Sequence, residues 1–189
     1  MSYGQHAPSR KGNGFLRSVA SWVVFFATVF ALVWFINTFV ARAYAIPSGS
    51  MMDTIQIGDR VWSEKISYYF RDVEQGDIIT FDEINGPDTF IKRVIATEGQ
   101  TVDLIKGKVY VDGVELDEPY TMGKESQPLD PMDGVVIRYP YTVPEGYVWV
   151  MGDNRDHSRD SRAFGPVPVE NISGHAIFIY WPLNHLGVL

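Results

Sequence analysis

The chain has 189 residues, with 16 lysines and arginines against 23 aspartates and glutamates, four histidines and no cysteine. A net charge of −7 disfavours binding to nucleic-acid phosphates, and the lack of cysteine excludes disulfides and thiolate chemistry. The charge is uneven: residues 1–50 carry Arg10, Lys11, Arg17 and Arg42 and no acid, whereas residues 51–189 hold 12 basic and all 23 acidic side chains, a net of −11.

The first predicted element is a membrane-spanning helix over residues 18–41. No residue between Arg17 and Arg42 is charged, and this 24-residue run is dominated by Val, Phe, Ala, Trp and Ile. At about 1.5 Å per residue it can cross a hydrocarbon core of about 30 Å. A cleaved secretory signal is the rival reading, with Ala41, Ala43 and Ala45 as small residues at alternate positions. The apolar core of such a signal is usually only about 7–15 residues, so a retained anchor is expected. Three of the four basic residues in the first 50 precede the run, which puts residues 1–17 in the cytoplasm and residues 42–189 outside.

That exported part reads as a mainly β domain, an antiparallel sheet or barrel-like unit. Strands are predicted at Arg60–Trp62, Asp77–Phe81, Thr89–Ala96, Thr101–Ile105, Lys108–Val111, Val135–Tyr139, Tyr147–Met151 and Ala176–Tyr180, each rich in Val, Ile, Tyr or Phe and bounded by turn formers. Asp112-Gly113 between alternating apolar residues predicts a two-residue hairpin. Residues 120–134, with Met122, Gly123, Pro128, Pro131 and Gly134 among polar groups, predict a mobile loop or small insertion.

Three clusters can carry chemistry. Ser48-Gly49-Ser50-Met51 lies just beyond the predicted span. A glycine-flanked serine can serve as a nucleophile if a base is near, or can simply make a turn. In the strand Phe90-Ile-Lys-Arg-Val-Ile95, alternation places Lys92 with Phe90 and Val94, and Arg93 with Ile91 and Ile95. Burial on that apolar face would lower the Lys92 pKa and make it a neutral base; an exposed edge strand with two solvated cations is the alternative. Gly152-Asp-Asn-Arg-Asp-His-Ser-Arg-Asp-Ser-Arg162 is a dense polar loop. Its acids lack the spacing and central glycine of a calcium loop, and Arg155, Arg159 and Arg162 offset their charge. A histidine base is disfavoured: there is no Gly-x-Ser-x-Gly elbow, and His175 and His185 lie at and after the last predicted strand.

Together and in this order, the anchor, Ser-Gly-Ser-Met, Lys-Arg-Val-Ile and Gly-Asp-Asn-Arg-Asp-x-Ser-x-Asp-Ser-Arg resemble the bacterial type I signal peptidases over roughly residues 15–185. The following Phe164-Gly-Pro-Val-Pro168 fits as well. The resemblance implies a Ser50 nucleophile, a Lys92 general base, an oxyanion-stabilising Ser48 hydroxyl, a Ser158 that holds the lysine amine, and supporting roles for Asp153, Asp160 and Arg162. It implies no cofactor or metal. The implied partners are exported preproteins cut after Ala-x-Ala sites and the lipid bilayer, in association with the secretion machinery at the bacterial cytoplasmic membrane. Three features depart from the family pattern: Asp53 stands where proline is usual, Ile55 replaces a common leucine, and Ala96-Thr-Glu-Gly-Gln100 replaces Gly-x-Pro-Gly-Asp. A non-catalytic, membrane-tethered peptide-binding module is the competing reading. Ala43 and Ala45 also raise the expectation of self-cleavage beside the anchor.

Overall fold

A computed structural model describes residues 14–83 and 86–189. The predicted cytoplasmic segment therefore lies largely outside the described residues. The chain divides into two units, residues 1–38 and 39–189.

Helix α1 (Gly14–Phe35) lies in the first unit and continues into a π-helical turn, Ile36–Val40, whose last two residues belong to the second. The apolar stretch Arg17–Val40 is 24 residues long, enough by length and composition to cross a membrane. Its polar side chains bond back to the helix itself: Ser21 Oγ to the Arg17 carbonyl, Thr28 Oγ1 to Val24 and Asn37 Nδ2 to Val33, each at 2.9 Å. Such bonds satisfy groups that hydrocarbon cannot. The helical run stops at Val40, one residue short of the predicted end.

The second unit is antiparallel throughout. Its strands are β1 (Ala41–Ala45), β2 (Arg60–Glu64), β3 (Ile78–Asp82), β4 (Thr89–Ala96), β5 (Thr101–Ile105), β6 (Lys108–Val111), β7 (Val114–Glu115), β8 (Tyr141–Thr142), β9 (Tyr147–Met151), β10 (Val167–Pro168), β11 (Ile172–Trp181) and β12 (Gly187–Val188). The main sheet runs β1-β2-β11-β3-β4-β9-β10, with β12 on β11, and the smaller one runs β7-β6-β5-β8. The mainly β, antiparallel expectation holds. So does the hairpin: Val111 pairs with Val114 across Asp112 and Gly113, which take φ of 53° and 80°. Positive φ at both central residues is what a two-residue turn between twisted strands requires.

Three differences have physical causes. Val135–Tyr139 is not a strand, although Ile137 and Tyr139 do pack against the core around Trp149. The alternation reports one-sided burial without a partner strand; the Val135 N–H is spent in a turn to the Met132 carbonyl at 2.9 Å, and pairing begins only after Pro140. Strand β1 was hidden because Ala-Arg-Ala-Tyr-Ala has little intrinsic strand character, and its register against β2, Ala41 opposite Glu64 to Ala45 opposite Arg60, is a tertiary effect. Strand β11 begins at Ile172, earlier than predicted, because Gly174 interrupts the pattern. A Cβ there would lie 2.7 Å from the Glu64 carbonyl oxygen, so the strand crosses β2 too closely for any side chain.

Residues 120–134 contribute no strand, and a short 3₁₀ turn at Pro119–Thr121 leads into them. This segment is tied to the polar loop by Arg155 to Ser126 Oγ, Arg162 Nη1 to the Gln127 carbonyl at 3.2 Å, and Met132 N–H to the Ala163 carbonyl at 2.8 Å.

Candidate active site

The sheet order brings the three sequence clusters together. Strand β4 is flanked by β3 and, from Arg93 onward, by β9, and Lys92 is buried at 3% exposure, which rules out the solvated edge-strand reading. Pairing of β4 with β9 ends at Arg93 opposite Met151, so Lys92 and Gly152 come next on their strands, and the polar loop starts beside the lysine. The nucleophile candidate lies in the connection between β1 and β2.

Lys92 is 3% exposed, and its Nζ donates to Ser50 Oγ at 2.7 Å and to the Ile91 carbonyl at 3.0 Å. Burial pushes its pKa from an ordinary 10.5 down to about 8, against the smaller upward pull of Asp160 and Asp153. Those two carboxylates are fully buried, and each is claimed by an arginine. Arg93 forks onto Asp153, Nε to Oδ1 at 2.9 Å and Nη2 to Oδ2 at 2.7 Å. Arg162 forks onto Asp160 through Nε and Nη2, both at 2.9 Å. Pairing the carboxylates in this way blunts their pull on the lysine, so desolvation prevails.

Ser50 is 7% exposed. Asn154 fixes its backbone twice over: the Asn154 N–H donates to the Ser50 carbonyl at 3.0 Å, and Nδ2 donates to the Gly49 carbonyl at 2.8 Å. Thr54 Oγ1 donates to Asp153 Oδ2 at 2.5 Å and ties the far side of the turn to the same loop. Gly152 lies between: a Cβ there would stand 2.2 Å from Ser158 Oγ and 2.4 Å from the Ser50 carbonyl oxygen, so only glycine fits. Its N–H donates to Asp160 Oδ2 at 3.0 Å.

The remaining predicted residues fall as follows. Ser48 is exposed and lines the cleft beside Lys92. Ser158 is buried, and its Oγ has no hydrogen-bond partner, so the expected contact with the lysine amine is not made in this geometry. Asp153, Asp160 and Arg162 form the buried network just described. His157 is exposed, His175 lies 3.7 Å from Glu64, and His185 pairs with Asp59 at 2.8 Å.

Sequence reasoning missed two residues. Asn154 stood inside a recognised motif without a role. Arg155, 1% exposed, was read only as charge balance, yet it bonds the Gly152 carbonyl at 3.0 Å and forms a buried pair with Glu118. An arginine four residues beyond a fully apolar strand, in a loop that must turn back over the sheet, was the available signal.

The family model for signal peptidase, peptidase S26, matches residues 19–181. The chain belongs to the S26 signal peptidase family. It is 41% identical over 162 residues to a signal peptidase I of Leptolyngbya laminosa, covering 82% of this chain and 75% of that one. Signal peptidase IB of Staphylococcus aureus is 30% identical over 177 residues, with 89% and 92% covered. Thylakoidal processing peptidase 1 of Arabidopsis thaliana is 40% identical over 154 residues; the match covers 76% of this chain but only 43% of that longer protein. S26 membership meets the expectation of a peptide-bond hydrolase of this family.

Proposed function

We propose that the chain is a membrane-bound serine endopeptidase that removes N-terminal signal peptides from exported preproteins, with Ser50 as nucleophile and Lys92 as general base. The observation that carries this reading is the 2.7 Å contact between Ser50 Oγ and an almost fully buried Lys92 Nζ whose pKa is lowered to about 8.

In the reaction, neutral Lys92 takes the Ser50 proton as Oγ attacks the scissile carbonyl carbon. The Ser48 hydroxyl and the Ser50 backbone N–H stabilise the oxyanion. The ammonium then gives its proton to the departing amine, leaving an ester on Ser50. Lys92 next deprotonates water for attack on that ester, so one base serves both steps. Ser158 steadies the amine once the substrate is in place, and Asp153, Asp160 and Arg162 hold the polar loop.

A cleft of about 270 Å³ runs along residues 44–48 on one side and residues 88–92 on the other. Strand β1 is the edge of its sheet, and β4 is paired with β9 only from Arg93 onward. Both flanks therefore offer backbone groups to an extended chain, which suits recognition by strand addition, with small side chains before the cut in shallow pockets. The charge asymmetry supports an N-terminus in the cytoplasm and a β domain outside. Nine residues separate Val40 from Ser50, a tether of at most about 36 Å of chain.

The test uses the full chain in detergent with a preprotein carrying an Ala-x-Ala site. Cleavage after that site is expected, rising with pH through about 8, and Ser50→Ala and Lys92→Ala should each abolish it without loss of fold. Near-normal turnover by Lys92→Ala would remove the dyad; tight peptide binding with no cleavage would favour the non-catalytic module.

A further inference from the structure

Beyond the peptide groove lies a second cleft, of about 280 Å³, that the mechanism does not use. Its floor is a three-ring cluster: Phe90 and Phe164 stack at 6.2 Å with 12° between planes, and Phe81 meets both rings, at 5.8 and 6.2 Å. Met132 and Val135 form a wall, held to α2 (Ser161–Phe164) by the Met132 N–H bond to the Ala163 carbonyl at 2.8 Å.

Three observations connect this cleft to the dyad. Phe90 lines both it and the peptide groove, so the two are separated by one ring. Lys92 Nζ lies 5.7 Å from the centroid of that ring. Arg159 at the mouth directly follows Ser158, the residue packed against Gly152 beside Ser50. A substrate held with its scissile carbonyl at Ser50 fills the groove along residues 44–48 and 88–92 with the segment before the cut. The segment after the cut starts at the dyad, where Lys92 Nζ stands 5.7 Å from the Phe90 centroid, and two extended residues span about 7 Å.

We propose that this aromatic cleft binds a side chain from the first two residues after the cut, and that it selects apolar bulk in the mature protein's new N-terminus. The inference rests on the peptidase reading above. Charge is not the selected property, because the cleft carries both signs: Arg159 shares it with the carboxylates of Glu83 and Asp133. The rigid ring floor favours a flat or branched side chain over alanine.

The experiment measures kcat/KM for preproteins that share one signal peptide and Ala-x-Ala site and differ only in mature residues one and two, carrying Ala, Phe, Leu, Asp or Lys. Partial burial of a phenylalanine predicts a preference over alanine on the order of 10-fold at one of these two positions. Val135→Trp, which fills the cleft, should bring the Phe/Ala ratio close to one. Equal rates across the series with wild-type enzyme would overturn this inference and leave the peptidase reading intact. A preference that survives Val135→Trp would also overturn it by placing the selectivity elsewhere. If wild-type enzyme cleaved no member of the series, both readings would fall. The substrate series needs no variant, so a Val135→Trp that failed to fold would not spoil the test.

Discussion

Replacing Lys92 with methionine should stabilise the protein while it abolishes activity. The lysine is buried at 3% exposure, and burial lowers its pKa from 10.5 to about 8. In the unfolded chain it keeps the ordinary value. Between about pH 8 and 10.5 the unfolded state therefore holds more of this proton, and wild-type stability rises with pH across that window. Below pH 8 the full penalty applies, and at about 1.36 kcal/mol per pKa unit it comes to roughly 3 kcal/mol at pH 7. Methionine fills similar space without a charge but forfeits the bond to Ser50, a loss of about 1 kcal/mol. The net gain is about 2 kcal/mol, or an increase of roughly 4–8 °C in Tm for a chain of this size. Thermal unfolding of both proteins in the same detergent, followed by far-ultraviolet circular dichroism at pH 7 and at pH 10.5, checks the magnitude and its pH dependence. At the higher pH the charge penalty has almost gone while the lost bond remains, so the advantage should disappear and reverse slightly, to about 0.5 kcal/mol in favour of wild type. A Lys92→Met protein less stable than wild type at pH 7, or a difference independent of pH, would refute the claim that desolvation sets the state of this lysine.

Three further outcomes are expected. Ser158→Ala removes a buried hydroxyl that makes no hydrogen bond, so Tm should not fall; if the hydroxyl engages the lysine during turnover, kcat should drop on the order of 10-fold, the equivalent of about 1.4 kcal/mol. Asn154→Leu deletes the 2.8 Å bond to the Gly49 carbonyl, and steady-state kinetics should show kcat falling more than KM changes, with a stability loss of about 1 kcal/mol in urea titration. Arg93→Gln withdraws the fork from Asp153 and strengthens that carboxylate's upward pull on Lys92, so the alkaline rise in kcat/KM should move to higher pH.

Much of the fold was legible because strand periodicity is local. Strands Thr89–Ala96, Thr101–Ile105, Lys108–Val111 and Tyr147–Met151 match their predicted bounds. What was not legible depended on partners distant in sequence. Strand β1 exists only because β2 lies beside it, and Val135–Tyr139 failed to become a strand because no partner is available. The same division runs through the site. Residue type and the apolar alternation around Lys92 allowed either a depressed base or a solvated cation, and what decides is burial against the Ser50 turn, 42 residues away in sequence, which no short window reveals. Asn154 and the Arg155–Glu118 pair escaped notice because their bonds span 105 and 37 residues.

Asp53 is the expected departure nearest the candidate nucleophile, and its side chain stands apart from the bonds that shape the turn. The turn holding Ser50 takes its shape from bonds that do not involve the residue-53 side chain: Ile55 N–H to the Met51 carbonyl at 2.8 Å, Thr54 to Asp153, and Asn154 to Gly49 and Ser50. The Asp53 carboxylate points outward, 52% exposed, and meets Lys124 at 3.4 Å. An exposed pair of that length contributes about 0–1 kcal/mol. Asp53→Asn should therefore leave Tm within a few degrees and kcat/KM within about threefold of wild type, with its small effect vanishing at high salt, where the exposed pair is screened. A loss of two orders of magnitude in kcat/KM, measured on the same preprotein at low and high salt, would show that this carboxylate takes part in holding the nucleophile, and the set of bonds named here would then be incomplete.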